Sequence, residues 1–259
     1  MILDDQNIKP INTNRIICLV PSLTELIVDL GLEENLVGIT KFCVHPKSLK
    51  NSKTIIGGTK NINIDKIKEL HPDLIIANKE ENVKEQVEAL AQTYPVLLTD
   101  INHFEDALQA IWTIGKWTQK EVEAGILIEA IKHHFENTDL KKINKAAYLI
   151  WKDPYMTIGG DTFIHDMMRI CGLSNAFGEK SRYPEITLDD LSRKDIGVIL
   201  LSSEPYPFSQ KHISTLQIAF PDKKIILVDG EMFSWYGSRM KHMPDYFHEV
   251  HQKIENYVL

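Results

Sequence analysis

Asp229-Gly-Glu-Met-Phe-Ser-Trp-Tyr-Gly-Ser-Arg239 gathers Phe233, Trp235, Tyr236 and Arg239 around two glycines. Aromatic rings offer a rigid apolar surface with a polar handle, suited to gripping a flat or bulky ligand. A guanidinium in the same loop can hold a carboxylate or phosphate in a planar, two-bonded fashion. The competing reading is that Trp235 and Tyr236 fill the gap between the last helix and a sheet. Two more aromatic loops, Trp151-Lys-Asp-Pro-Tyr155 and Glu204-Pro-Tyr-Pro-Phe208, are stiffened by proline, which lowers the entropy lost on binding. Each alone reads as packing, whereas three in one half of the chain point to a pocket. Trp235→Ala is then expected to weaken ligand binding by about 1–3 kcal/mol.

Cys43-Val-His45 would place thiol and imidazole on one face of an extended segment, and the two suit zinc or copper. A metal site also needs a third and a fourth ligand, and none has adjacent spacing, so an ordinary loop histidine outweighs His45 as a metal ligand. His133 and His134 read as solvated positions on a helix. No G-x-S-x-G elbow, P-loop or H-E-x-x-H appears, which leaves the chain poor in catalytic motifs. Gly57-Gly58-Thr59-Lys60 lacks P-loop spacing and reads as a turn. Gly159-Gly-Asp-Thr162 before a helix could seat an anion on amides, or Asp161 or Thr162 could cap that helix. The expectation is a binding protein with no catalytic residues and no intrinsic cofactor.

The elements that must position these loops alternate. Apolar runs at 15–20, 36–40, 73–77 and 96–99 read as strands, with helices between them, and the pattern resumes with a strand at 146–151 and a helix at 163–171. Alternation of this kind implies parallel sheets covered by helices. The ends of such strands carry ligands. Those ends hold Pro21, Ser22, Phe42, His45, Asn78, Lys79, Trp151, Tyr155, Glu204 and Tyr206, with Arg182 and Tyr183 in a further polar and aromatic loop.

Ile62-Asn-Ile-Asp-Lys-Ile67 matches Ile186-Thr-Leu-Asp-Asp-Leu191 at an offset of 124 residues, and Glu80 falls on Glu204 at the same offset. Two copies suit two similar lobes rather than a solenoid. Between them lies a helical stretch. Asn102-His-Phe-Glu105 starts a helix over 104–117, and Thr118-Gln-Lys-Glu121 is a capping-box pattern that starts a second helix over 119–137. Its apolar residues form two seams, one of Val122 and Ile126 and one of Ala124, Ile128, Ile131 and Phe135, as for a rod packed on both sides. The expected fold is α/β, with two Rossmann-like lobes joined by a single long interlobe helix. Its parts are an N-terminal lobe over 1–118, the connecting helix over 119–138 and a C-terminal lobe over 139–259, with the strand-end loops facing one cleft.

Among 259 residues a formal charge of −7 argues against a nucleic-acid partner. Three separated cysteines with no CxxC pair indicate neither a zinc finger nor a disulfide scaffold. The first ten residues lack a signal-peptide pattern, and no run reaches the roughly 18 apolar residues of a membrane span. As written, the chain is expected to be a monomer without an export address.

Arg15-Ile-Ile-Cys-Leu-Val-Pro-Ser-Leu-Thr-Glu25-Leu, Gly57-Gly-Thr-Lys-Asn-Ile-Asn-Ile64, His71-Pro-Asp-Leu-Ile-Ile76, Gly172-Leu-Ser-Asn175 and the 229–239 loop resemble the helical-backbone substrate-binding proteins of ABC transporters. That resemblance covers nearly the whole chain. It implies two α/β lobes joined by one long helix and a ligand held between them, either cobalamin, a ferric siderophore or haem. By that resemblance Phe42, Trp151, Tyr206 and Trp235 match the aromatic grip on a corrin. Relatives dock on a permease through one acidic residue per lobe, for which Glu80, Glu81 or Glu85 and Glu204 are the candidates. Relatives are periplasmic or held at the cell surface. The alternative is an intracellular tetrapyrrole- or metal-handling enzyme or chaperone of chelatase-like architecture.

Overall fold

The computed structural model describes residues 1–3, 13–136, 138 and 140–257. Most of the first ten residues, and position 137 at the expected end of the second central helix, lie outside the described residues.

The described residues form two compact units. Unit 1 comprises 1–101, 105–133 and 236–239, and unit 2 comprises 102–104, 134–235 and 240–259. Unit 1 contains β1 (Ile2–Leu3), β2 (Ile16–Cys18), α1 (Pro21–Asp29), β3 (Leu36–Ile39), α2 (Leu49–Ser52), β4 (Thr54–Ile55), α3 (Ile64–Glu69), β5 (Leu74–Asn78), α4 (Lys84–Ala91), β6 (Val96–Thr99) and nearly all of α5 (Phe104–Trp117). Its strands run in the order β1-β6-β5-β2-β3-β4, all parallel. Ile16, Ile17 and Cys18 are fully buried, as are Leu74, Ile75 and Ile76. Continuous apolar strands of this kind belong to a parallel sheet covered on both faces. Because β2 has β3 on one side and β5 on the other, the winding reverses there, and the crevice of an open α/β sheet opens beside it.

α6 (Glu121–Glu136) carries the chain from unit 1 into unit 2. Two helices stand where the sequence predicts two, but the junction differs from the expected capping box. The Thr118 hydroxyl donates back to the Ile114 carbonyl at 2.7 Å, closing α5, while Gln119 takes a left-handed φ of 58° and α6 begins at Glu121. Gly115 is required here, since a Cβ on it would lie 2.5 Å from the Ala124 Cβ. Ala124 and Ile131 are buried, whereas Val122 and Ile126 are exposed, so the seam of Val122 and Ile126 does not pack. His134 is exposed but not merely solvated, because its Nδ1 lies 2.7 Å from the Lys241 carbonyl oxygen.

Unit 2 contains β7 (Ile143–Leu149), β8 (Tyr155–Met156), α7 (Phe163–Ile170), β9 (Leu173–Asn175), β10 (Glu185–Ile186), α8 (Leu188–Leu191), β11 (Ile196–Ser202), α9 (Gln210–Ala219), β12 (Lys224–Val228), α10 (Glu231–Ser234) and α11 (Met243–Glu255). The order β12-β11-β7-β9 is again all parallel, and β8 and β10 form a separate antiparallel pair. Here the winding reverses about β7, which lies between β9 and β11. Its core is built from Leu149, Phe177, Leu201, Phe208, Leu216 and their neighbours, with Tyr155 and Tyr206 packed against it.

The repeat is visible in both units. Asn63 and Thr187, 124 residues apart, each cap the helix that follows, α3 and α8, by accepting a backbone N–H, as side chains of this type do. Asn78 and Ser202, at the same offset, each end a strand that pairs with the one where the winding of its unit reverses, β5 beside β2 and β11 beside β7. Both are buried, and both fasten the turn that follows. Asn78 Oδ1 accepts the backbone N–H of Glu80 at 2.8 Å and of Glu81 at 3.1 Å. Ser202 Oγ donates to the Glu204 carbonyl at 2.6 Å.

Candidate ligand-binding site

In unit 1 the crevice beside β2 is occupied by protein. Asn82 is buried; its Nδ2 donates to the carbonyls of Leu19 at 3.2 Å and Thr59 at 3.1 Å, and its Oδ1 accepts the Asn78 N–H at 2.9 Å. Asn78 spends its own amide on the Thr99 carbonyl and hydroxyl. Every polar atom of that side chain is engaged, so Asn78 supports the loop rather than meeting a ligand. Pro21 opens α1, where its missing N–H costs nothing, and Ser22 is buried beside it. The 236–239 segment covers that turn: a Cβ on Gly237 would lie 3.4 Å from the Ser22 carbonyl oxygen.

Arg239 belongs to the same unit and is already paired. Its Nε and Nη2 each donate to a Glu25 carboxylate oxygen at 2.9 Å, with side chains only 10% and 17% exposed. The two-bonded partner expected from the sequence is thus a carboxylate of the chain itself. Tyr236 is buried too.

Cys43 is buried, with its thiol 3.2 Å from the Thr24 hydroxyl and 3.4 Å from that of Thr40. Burial pushes this thiol above its ordinary value and Cys18 up to about 12, which disfavours the thiolate that a metal needs. Among the described residues no three His, Cys, Asp or Glu side chains gather as metal ligands, at His45 or elsewhere. What unit 1 does present at its strand ends is Phe42, 49% exposed after β3, with the Lys41 ammonium 5.0 Å from its ring centre. Lys79 is exposed and pairs with Asp100 at 2.7 Å. Glu80 and Glu81 are half-buried and Glu85 is exposed. A cavity of about 310 Å³ lined by Leu97, Asp100, Asp106 and Gln109 contains none of the residues singled out from the sequence.

In unit 2 the loop after β12 turns inward. Phe233 is fully buried between Tyr148 and Phe247, at centroid distances of 5.3 and 5.1 Å. Trp235 is 7% exposed, and its indole N–H donates to Glu204 Oε1 at 3.0 Å, an oxygen that also accepts the Ser234 hydroxyl at 3.0 Å. Phe233 and Trp235 therefore pack, and Glu204 ties the loop after β11 to the loop after β12. Burial raises the Glu204 carboxyl above its ordinary value, and the acidic Glu231 and Asp229 add to the effect. Gly230 makes this junction possible: a Cβ there would lie 2.5 Å from both Glu204 Cγ and Ser202 Oγ.

The residues left facing outward at the β7 and β11 ends are Trp151, 40% exposed, and half-buried Tyr206. Their rings meet edge to face at 5.6 Å. Half-buried Tyr155 lies on the same loop as Trp151. Arg182 and Tyr183 stand just before β10, the strand paired with β8; the Arg182 guanidinium sits 5.6 Å from the Tyr183 ring and donates to Asn102 and to the Asp161 carbonyl. The Gly159–Gly160 pair is no anion seat. A Cβ on either glycine would collide with the backbone of 178–181, and Thr162 caps α7 by accepting the His165 N–H.

Sequence reasoning passed over Asn82, Glu25, Ser234 and His212, all of which hold these loops. Only His212 had a local signal, standing three residues after Ser209 at a helix start.

A family model described as periplasmic binding protein matches residues 16–220. The chain belongs to that family. As a periplasmic binding protein it falls among binding proteins and not among enzymes. It is 28% identical over 191 residues to an uncharacterized ABC transporter substrate-binding lipoprotein of Bacillus subtilis, a match covering 67% of this chain and 58% of the relative. It is 24% identical over 194 residues to the vitamin B12-binding protein of Yersinia pestis, covering 73% and 69%. In structure it is similar to a periplasmic heme-binding protein from Roseiflexus sp. RS-1, with a TM-score of 0.77, 18% identity, and coverage of 93% of this chain and 100% of that one. Two α/β units with parallel sheets are thus the fold of this family member. No helix among the described residues is long and apolar enough to cross a membrane.

Proposed function

We propose that this chain is the substrate-binding component of an ABC uptake system and captures a metal-bearing compound, a corrinoid, haem or ferric siderophore, on its strand-end loops. The observation that carries this is the outward-facing aromatic surface at the ends of β7 and β11, where Trp151 and Tyr206 meet edge to face. Taken by itself, unit 1 presents an exposed ring at a strand end, Phe42 after β3. Large ligands of this kind are held mainly by apolar and aromatic surface with a few placed polar groups. The relatives that bind vitamin B12 and haem support the ligand class.

Docking on a permease is assigned to Glu80, Glu81 or Glu85 in unit 1. Glu204 is spent on Trp235 and Ser234 and is given the structural role instead. The chelatase-like alternative has no observation in its favour, since the family is one of binding proteins.

Titration of the purified protein with cyanocobalamin, haemin and ferrioxamine B, followed by absorbance and calorimetry, tests the reading. Micromolar or tighter binding of one probe is expected. Trp151→Ala then weakens that binding by about 1–3 kcal/mol, as for a buried aromatic anchor. No binding tighter than millimolar to any probe overturns the assignment.

A further inference from the structure

Tyr206 is held from behind as well as facing Trp151. The Phe208 ring lies 4.7 Å from it and the His212 imidazole 5.5 Å, centroid to centroid. The tautomer of that imidazole follows from its partners. Nδ1 lies 2.9 Å from the backbone nitrogen of Ser209, and a backbone N–H can only donate, so Nδ1 bears the lone pair. The proton of the neutral ring is then on Nε2, which stands 3.3 Å from the Tyr206 hydroxyl. In that pair the phenol oxygen accepts, and its own hydrogen points elsewhere. Among the described residues no other hydrogen-bond partner of the phenol is found. Burial, followed by the positive Lys211 and Lys152, holds the imidazole below its ordinary value; Asp153 is the acidic group nearby and acts in the opposite direction.

We propose that Trp151 and Tyr206 form a two-part subsite, in which the indole receives an apolar ring or macrocycle and the Tyr206 O–H donates to an oxygen on the ligand's rim. His212 is the positioning residue that turns this donor outward. The subsite rests on the binding function proposed above and adds the ligand group that is read: a carboxylate or carbonyl oxygen at the edge of a large apolar body. A haem propionate and a corrinoid amide both offer one, and the three probes distinguish these sources from a hydroxamate chelate.

The test has two arms. In the first, 15N spectra of the wild-type protein near neutral pH are expected to show His212 with Nε2 protonated and Nδ1 bare; a protonated Nδ1 in a neutral ring overturns the proposal without reference to any ligand. In the second, the probe bound best by wild type is titrated into Y206F, H212L, H212Q and the Y206F/H212L double variant. Y206F is expected to lose about tenfold in affinity, the scale of one hydrogen bond. H212L loses several-fold alone but nothing further when combined with Y206F. H212Q, whose amide nitrogen reaches the Nε2 position, recovers most of the loss. Binding unchanged by Y206F, or an H212L effect equal with and without Y206F, overturns the subsite while the binding function stands. Failure of every probe to bind wild type sinks both.

Discussion

Trp235 and Ser234 converge on one oxygen of Glu204, and this junction decides the behaviour of a loop that reads from sequence as a ligand grip. Trp235→Phe keeps most of the ring volume and removes only the donor. A hydrogen bond to a charged acceptor is worth about 1.5–3 kcal/mol, so urea unfolding of this variant is expected to show a loss on that scale with little change in ligand affinity. A large affinity loss at unchanged stability would return Trp235 to the site. The carboxyl itself titrates above its ordinary value of 4.5 because it is buried. A group whose folded pKa is raised binds its proton more tightly in the folded state. Its stabilising contribution is thus present below about pH 4.5 and is lost as pH rises through the folded value. Glu204→Gln retains an acceptor and never ionises. The melting temperature of this variant relative to wild type is expected to be higher at pH 7.5 than at pH 4.5; the opposite slope would mean that the charged form is the favoured one.

Elements were legible where one signal decides them. Strand runs such as Ile16 to Cys18 are continuous, apolar and fully buried, and the 124-residue offset predicted matching strand ends that Asn78 and Ser202 now explain. Helix α6 was harder: Val122 and Ile126 have the spacing of a packed seam yet face solvent, because periodicity reports a face and not what covers it. Thr118 had the spacing of a capping box but bonds backward, since the left-handed Gln119 places the turn after it. The site was less legible still. An aromatic after a strand looks the same in sequence whether it turns outward, as Trp151 does, or inward, as Phe233 does. The turn 57–61 shows a case where the residue type does settle the element. Gly57 has φ 112°, and a Cβ there would lie 2.4 Å from the Asn61 carbonyl oxygen. Gly57→Ala is expected to cost on the order of 1–3 kcal/mol, through a left-handed conformation and a backbone clash. Urea midpoints of the two proteins measure it, and no change would mean that the turn relaxes freely.

At the scale of the whole molecule, unit 1 is not a contiguous stretch of chain. Residues 236–239, more than a hundred positions beyond the end of its other segments, are part of it. They bring Arg239 to Glu25 in a two-bonded pair that is nearly buried, lay Gly237 against the first turn of α1 and bury Tyr236. Removing one partner of a buried ion pair costs about 3–5 kcal/mol, a large part of the roughly 5–15 kcal/mol that holds a domain folded. A fragment ending at residue 136 would keep the complete unit 1 sheet and lose all three contacts. It is expected to unfold at a much lower urea concentration than the intact chain, or without a cooperative transition, by circular dichroism. Glu25→Gln in that fragment removes the orphaned charge and is expected to recover part of the loss, whereas in the intact chain the same change destabilises by stranding Arg239. Opposite signs in the two contexts are what a native pair predicts, because the same carboxylate is satisfied in one and abandoned in the other. A fragment as stable as the intact chain, indifferent to Glu25→Gln, would show that 236–239 merely rests on a unit complete without it.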